Sequence, residues 1–205
     1  MSNPIAAWIE SRASTNRFDP SHALSDAQIT ELIRLATRAP SCYNLQNWRF
    51  VAVRTPQAKA RLQALAYGQR QVADAAVTFI VCGTLRAHEH LLQVLRPSVD
   101  AAIMDQRTVD GWVAMAAKSH EGNAELQRDE AVRSASLAAM TLMFAAGGMG
   151  LSSGPMTGFD AAGVSAAFGL SPTELPVLLV TVGRGAPGNW PQKPRKPVDE
   201  VIEFV

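Results

Sequence analysis

Three widely separated stretches of the sequence combine cationic side chains with hydroxyl or amide groups, which together could hold a phosphate. Their polar members are Arg12, Ser14, Asn16 and Arg17; Ser41, Asn44 and Gln46; and Lys193, Arg195 and Lys196. A phosphate monoester needs positive charge and short-range donors, which an arginine fork, a serine hydroxyl and a lysine supply together. Most single Lys and Arg side chains are simply exposed, so the prediction of an anion site rests on the combination.

Other common chemistries are not predicted. We expect no nucleophile elbow, no phosphate-binding P-loop, no glycine-rich dinucleotide fingerprint and no H-E-x-x-H zinc pair. His88 and His90 form an H-x-H pair on a predicted helix, where they face different directions, so both are expected at the surface. Cys42 and Cys82 show no metal-ligand spacing and are too few for a disulfide framework, so free thiols are predicted.

Composition points to one foldable globular chain. Its 205 residues are 47% hydrophobic and 18% charged, and 19 basic against 18 acidic side chains give a net charge of +1. With charges so nearly balanced, no net electrostatic attraction to nucleic acid or an anionic membrane is expected. The opening residues lack a signal-peptide pattern, so a cytoplasmic location is expected. Ser134 to Phe159 is free of charge but broken by glycines, which favours a buried central helix over a membrane span.

The elements that would position the polar stretches can be read from periodicity. Helices are predicted at 5–10, 57–66, 91–117, 130–147 and 160–168, and from Ser25, which forms a capping box with Gln28, until Pro40. Strands are predicted at 48–54, 77–82 and 177–182. The last two are continuous apolar runs, so helices should cover both faces of the sheet.

The segment from about 184 to 205 changes character. It is rich in proline and basic residues and ends in the apolar "VDEVIEFV". Such a tail needs a surface to pack against, which could lie on its own chain or on a partner subunit.

Five stretches of this sequence together resemble the FMN-dependent nitroreductase family over nearly the whole chain. They are "SRASTNRFDP", "RAPSCYNLQNWRFVAV", "GQRQVADAAVTFIVC", "GMGLSSGPMTGFD" and "QKPRKPVDEV". The resemblance implies an α+β fold with a nitroreductase-like central mixed β-sheet flanked by helices, in an intertwined homodimer. It further implies a single FMN-binding domain over 1–205, with the extension from about 184 packing on the partner by strand exchange.

The resemblance also assigns cofactor-binding residues. Arg12, Ser14, Lys193 and Arg195 match positions that hold the FMN phosphate and ribityl chain, in agreement with the phosphate argument. Ser41, Cys42 and Asn44 match positions lining the flavin from the partner subunit, and Pro155, Met156, Thr157 and Gly158 match a turn beside the ring. Ala13, Asn16 and Gln71 match further cofactor positions where many relatives are basic, as Gly68 matches a common asparagine, so fewer cations would face the flavin.

The implied activity is a ping-pong oxidoreductase reaction. NADH or NADPH would reduce the flavin at N5, and a nitroaromatic or quinone would then take the electrons in the same slot, with no obligatory protein acid or nucleophile. Residues 84–126 would cover this pocket, with Trp112, Met104 and Met115 as candidate lining residues, although such residues more often belong to a core. Alternatives are a flavin-cleaving, dehalogenating or enal-reducing relative, a non-catalytic FMN store or sensor, and a module without a cofactor.

Overall fold

The computed structural model describes residues 3–205, so Met1 and Ser2 of the predicted domain span lie outside the described residues. The helices are α1 (Pro4–Ser11), α2 (Asp26–Ala36), α3 (Pro56–Leu65), α4 (Arg70–Asp74), α5 (Leu91–Asp100), α6 (Gln106–His120), α7 (Ala124–Gly148) and α8 (Ala161–Phe168). The strands are β1 (Trp48–Val53), β2 (Val77–Thr84), β3 (Ser152–Met156) and β4 (Glu174–Gly183). Short 3-10 turns occupy Cys42–Asn44, Ala87–His90 and Val198–Glu200.

The four strands form one sheet in the order β1-β2-β4-β3, and all three pairings between them are antiparallel. The α+β class and the helix-flanked central sheet predicted from the sequence are confirmed. Parallel pairing, which a mixed sheet requires, occurs in the described residues as an isolated bridge between Ser14 and Ser153. The N-terminal segment therefore runs beside the edge strand β3 without adding a full strand.

Helices cover both faces of the sheet, as the continuous apolar runs of β2 and β4 predicted. One core layer packs α2 and α7 on side chains such as Phe79 and Val180. The other packs α3 and α8 on the alternate residues, including Ile80 and Leu179. Because side chains alternate across a strand, a strand buried throughout serves both layers at once.

Local sequence signals account for several helix ends. Ser25 and Gln28 form the predicted capping box of α2, and Asp160 accepts from the backbone N–H of Gly163 to cap α8. Gly169 ends α8 in the left-handed conformation with φ of 62°. The helix predicted up to Pro40 stops earlier, at Ala36, because the chain turns there before the loop of residues 41–46.

Strand β3 was missed at the sequence level, where its residues were interpreted as a turn. Ser153, Gly154 and Pro155 are not β-branched or aromatic, so they carry no strand signal. The position at the sheet edge explains why proline is tolerated, since an edge strand has one side without a ladder partner. Pro155 and Met156 thus belong to a strand, and the turn begins at Thr157.

Two helical boundaries also differ from the prediction. The stretch expected to be helical from 91 to 117 is two helices, α5 and α6, separated around Ala102, which has φ of 54°. Helix α7 begins at Ala124, six residues before its predicted start. It is long and apolar enough to cross a membrane by composition, a test that core helices also pass, and 44% of its most apolar stretch is buried inside the protein.

Candidate functional site

A surface cavity of about 160 Å³ lies between the N-terminal segment and the tail, and it brings six predicted site residues together. We call it the cationic cavity; it is lined by Arg12, Ala13, Ser14, Asn16, Trp190, Pro191, Gln192, Lys193 and Arg195. Residues about 180 positions apart in sequence therefore meet at one place. This grouping is the one that the shared composition of the two segments predicted.

One nitrogen of the Arg12 side chain lacks a hydrogen-bond acceptor. Its Nη1 is buried and has no hydrogen-bond partner. Within residues 3–205, the ion pairs do not include Arg12, Lys193 or Arg195, so the cavity keeps its positive charge. A buried cationic N–H without an acceptor is costly, and an anion would relieve that cost. The donor set therefore fits a phosphate group.

The N-terminal segment is fixed in place by backbone pairing. The N–H of Thr15 donates to the carbonyl of Ser153 at 2.9 Å, and that of Ala186 donates to the carbonyl of Arg17 at 2.9 Å. Thr15 is buried, whereas Ser14 and Asn16 on either side of it are exposed. The alternation of an extended segment thus turns the polar side chains outward to the cavity.

The tail supplies the other two cations. The Lys193 ammonium lies over the ring of Trp190, 4.9 Å from its centroid, and Nη1 of Arg195 donates to the Lys193 carbonyl at 2.7 Å. A cation over an aromatic face is attracted by the ring quadrupole, which holds the lysine near the cavity. Lys196, the third basic residue of this stretch, is exposed.

The loop of residues 41–46 stands apart from the cationic cavity within one chain. Tyr43, Asn44 and Gln46 have φ of 50°, 58° and 48°, in the left-handed region that residues with a side chain rarely adopt. Such residues cost of order 1–3 kcal/mol each and cluster at functional sites. The Ser41 hydroxyl accepts from the N–H of Gln46 at 2.9 Å, which closes the loop.

Aromatic packing anchors that loop to helix α6. The Tyr43 ring lies edge-on to Trp112, with centroids 6.1 Å apart, while Cys42 and Asn44 remain exposed. Trp112 and Met104 pack in the core cluster under α5 and α6, and Met115 is half-exposed. Of the three candidate pocket-lining residues, two are thus mainly core residues.

The remaining predicted site residues lie near β3 and α4. Gln71 lies on α4, and Gln69 just before that helix donates through Nε2 to the Gly158 carbonyl at 2.7 Å. Thr157 and Gly158 are exposed, whereas the side chain of Met156 is 6% exposed and belongs to the core. Met156 could therefore reach a ligand only through its backbone.

The two thiols are free, as predicted, and neither is an activated nucleophile. Burial raises the pKa of the Cys82 thiol to about 12. Burial and the carboxylate of Glu130 also raise the pKa of the Cys42 thiol above its usual range. Both thiols stay protonated near neutral pH, and a thiol is a poor nucleophile compared with a thiolate.

The prediction of a surface position is wrong for His88, although it is right for His90. His88 is 8% exposed and stacks on His120 with ring centroids 5.5 Å apart. The reason is local: residues 87–90 form a 3-10 turn leading into α5, and this turn points His88 into the protein and His90 outward. In the described residues, no group of three or more potential metal ligands includes them.

We expect the free energy of unfolding to fall as the pH drops below about 6.5, because of His88. Burial and the neighbouring His120 lower its pKa, as does Arg86, while Glu89 and Glu121 oppose the shift. The unfolded chain therefore binds the proton more readily, with a slope of at most about 1.4 kcal/mol per pH unit for one group. Urea unfolding between pH 8 and pH 5 measures this dependence of the unfolding free energy on pH. His88→Gln should reduce the dependence, whereas His90→Gln should leave it unchanged. Equal slopes in the wild type and both variants would contradict the assignment to His88.

Two short stretches match catalytic motifs in spacing, but their structural context does not fit. Gly150 to Gly154 reads G-x-S-x-G, yet Ser152 begins an edge strand and does not lie on a strand-to-helix turn. Gly183 to Gly188 reads G-x-G-x-x-G, yet an irregular segment follows it where a dinucleotide fingerprint needs a helix. The sequence therefore does contain both spacings, and neither stands in the structural context that its chemistry requires.

Sequence reasoning overlooked two amide side chains. Gln192 donates through Nε2 to the Arg12 carbonyl at 2.9 Å, and Asn189 bonds the backbone of Asn16 and Arg17. Both lie in a stretch rich in proline and glycine, where amides are ordinary. No sequence pattern distinguishes them.

Comparisons of the sequence and of the structure with known proteins point to the same family. The sequence model of the nitroreductase family matches residues 9–184. YodC of Bacillus subtilis, assigned as an NAD(P)H nitroreductase, is 32% identical over 201 residues, 96% of each chain. An NADH dehydrogenase of Thermus thermophilus is 32% identical over 194 residues, 93% of this chain and 91% of its own. A protein of Exiguobacterium sibiricum, assigned as a nitroreductase and crystallised with FMN, superposes with a TM-score of 0.92 at 25% identity, covering 100% of this chain and 99% of its own.

Proposed function

The chain belongs to the nitroreductase family, and from that we propose that it is an FMN-dependent oxidoreductase passing electrons from NADH or NADPH to nitroaromatic or quinone-type acceptors. The family and the enzyme class rest on the matches over most of the chain. The acceptor class and a ping-pong order are our proposals. The observation that supports FMN as the cofactor is the unpartnered, buried Nη1 of Arg12 in a cavity of unpaired cations, since FMN ends in a phosphate.

The residues of the cationic cavity would hold the phosphate end of FMN. Arg12, Lys193 and Arg195 would neutralise its charge, and the exposed Ser14 would offer a hydroxyl donor. When bound, FMN supplies the redox chemistry by taking up hydride from the nicotinamide and releasing it to the acceptor. The protein would bind and orient the cofactor and the substrates, and would exclude water from the site. The raised pKa values of both thiols fit a site without a protein nucleophile.

We further propose a homodimer in which Ser41, Cys42 and Asn44 of one chain face the FMN held by the other. Within one chain these residues do not line the cationic cavity. The tail leaves Val198 71% and Phe204 89% exposed, and Ile5, Ile9 and Phe144 line an apolar surface of α1 and α7. A second copy would cover these groups, and sedimentation equilibrium giving a monomer at micromolar concentration would contradict this arrangement.

The test of function is an anaerobic titration of the purified, FMN-loaded protein. NADH or NADPH should bleach the flavin absorbance, and 1,4-benzoquinone or a nitroaromatic compound should restore it. Steady-state rates at several fixed acceptor concentrations should give parallel double-reciprocal lines. Bound flavin that no nicotinamide bleaches would contradict the proposal and favour a storage or sensor role, whereas intersecting lines would reject the ping-pong order alone.

A further inference from the structure

One amide side chain in the tail makes as many hydrogen bonds as its chemistry allows. Oδ1 of Asn189 accepts from the N–H groups of Asn16 and Arg17, at 2.8 and 2.9 Å. Its Nδ2 donates to the carbonyls of Arg17 and Ala186, both at 2.8 Å. Two acceptor sites and two donor hydrogens are the full capacity of an asparagine amide, so every polar atom is used. The backbone partners also fix which end is oxygen.

These bonds join the two segments that form the cationic cavity. Asn16 and Arg17 continue the stretch that begins with Arg12, while Asn189 immediately precedes Trp190, which lines the cavity with Lys193. In the described chain, hydrogen bonds from residues 187–196 to other segments come from Asn189 and Gln192. The rest of this stretch has no regular structure. The placement of the tail cations therefore depends on these two amides.

We propose that Asn189 is a positioning residue for the FMN phosphate, which it does not touch. This inference rests on the proposed function. Asn189 holds the tail against the N-terminal segment, so that Lys193, Arg195 and Arg12 already surround one point before the phosphate arrives. Ordering a flexible, charged segment during binding costs affinity, and a site assembled in advance avoids that cost. A residue that only stabilised the fold would lack this selective effect on the phosphate.

Riboflavin, which has the flavin ring and ribityl chain without the phosphate, separates the two roles. We would measure Kd for FMN and for riboflavin by flavin fluorescence in the wild-type protein and in Asn189→Ala. The variant should raise Kd for FMN about 10-fold or more and Kd for riboflavin less than about 3-fold. The ratio of the FMN Kd to the riboflavin Kd thus rises by about 3-fold or more, which a general loosening of the fold would not cause.

Two further variants complete the design. Asn123→Ala removes the side chain that caps α7 by accepting from the N–H of Leu126 at 3.0 Å, so it lowers stability away from the cavity. It should leave the ratio unchanged. Asn189→Ser replaces the amide by a shorter hydroxyl, which adds no charge and cannot make all four bonds, so it should raise the FMN Kd by a larger factor than the riboflavin Kd.

Each outcome decides between the alternatives. Equal changes in both Kd values, or no change in either, in Asn189→Ala and Asn189→Ser would overturn the positioning role while leaving the proposed function intact. If Asn189→Ala does not fold, Asn189→Ser decides alone by the same ratio. A wild-type protein that binds neither flavin would overturn the proposed function and, with it, this inference.

Discussion

Replacement of Arg12 by glutamine is expected to raise the Kd for FMN by about 10- to 150-fold. A hydrogen bond to a charged group contributes about 1.5–3 kcal/mol, which corresponds to that range. The expectation follows from Nη1 of Arg12, which is buried without a partner beside two further unpaired cations. Arg12→Lys should raise the Kd for FMN less than Arg12→Gln does, because lysine keeps the charge but not the planar fork of arginine. Fluorescence titration with FMN and with riboflavin measures the Kd values of both variants.

The matched control is Arg128→Gln, which removes the same charge from an exposed position on α7, 19 residues before Gly147, which packs against Trp8 of α1. It should leave the Kd for FMN within a factor of two, because about 28 Å of helix separates it from that end and charges in water beyond about a Debye length of 10 Å are screened. If Arg12→Gln binds FMN as tightly as the wild type does, the cationic cavity is not the phosphate site. Equal losses in both variants would indicate a net-charge effect.

The second large effect is expected from Gly154→Ala in strand β3. A Cβ at this position would overlap the carbonyl oxygen of Thr15 and lie 3.0 Å from Oγ1 of Thr181. Backbone must move, and overpacking of this kind costs about 1–3 kcal/mol. Because Thr15 donates to Ser153 next to this contact, the N-terminal segment should be pushed off the sheet edge. The midpoint temperature of thermal unfolding should fall by about 2–4 °C for each kcal/mol of stability lost, and FMN should bind more weakly.

Gly111→Ala on α6 is the control, since nothing lies within 4 Å of its added Cβ and its backbone is helical. Alanine in a helix interior is favoured over glycine by about 1 kcal/mol, so this variant should unfold at the same or a higher temperature. A Gly154→Ala protein as stable as the wild type would show that the N-terminal segment is free to move away from β3. The positions of Ser14 and Arg12 would then not depend on this edge.

The core of this fold is predictable because its signals are local and strong. The capping residues Ser25 and Asp160 mark helix starts, and the unbroken apolar run of β2 indicates a strand covered on both faces. Strand β3 and His88 behave differently. β3 consists of residues with low strand propensity and exists because β4 offers its edge, while His88 is buried by a turn that its own sequence does not reveal. Tertiary contacts decide both cases.

The charged residues of the cationic cavity could be predicted from the sequence, whereas the amides that hold it together could not. Arg12, Ser14, Lys193 and Arg195 could be grouped by the chemistry they share, before any contact between them was known. Asn189 and Gln192 could not, because their role depends on which backbone groups face them. An amide reveals its function through its partners, and those partners are about 170 to 180 residues away in the chain.

That separation has a consequence for how the protein is made. Gln192 and Arg12, which the hydrogen bond joins, are 180 residues apart, so the cavity cannot form on a growing chain until Gln192 has been synthesised. At about 5–20 residues per second, the ribosome needs roughly 9 to 36 s between these two positions. During that interval β1, β2 and α7 are synthesised, whereas β4, which joins β2 to β3 in the sheet, follows only at residues 174–183. An FMN phosphate held in the cationic cavity would therefore bind after synthesis has passed Gln192, and it would join two segments that are distant in the sequence.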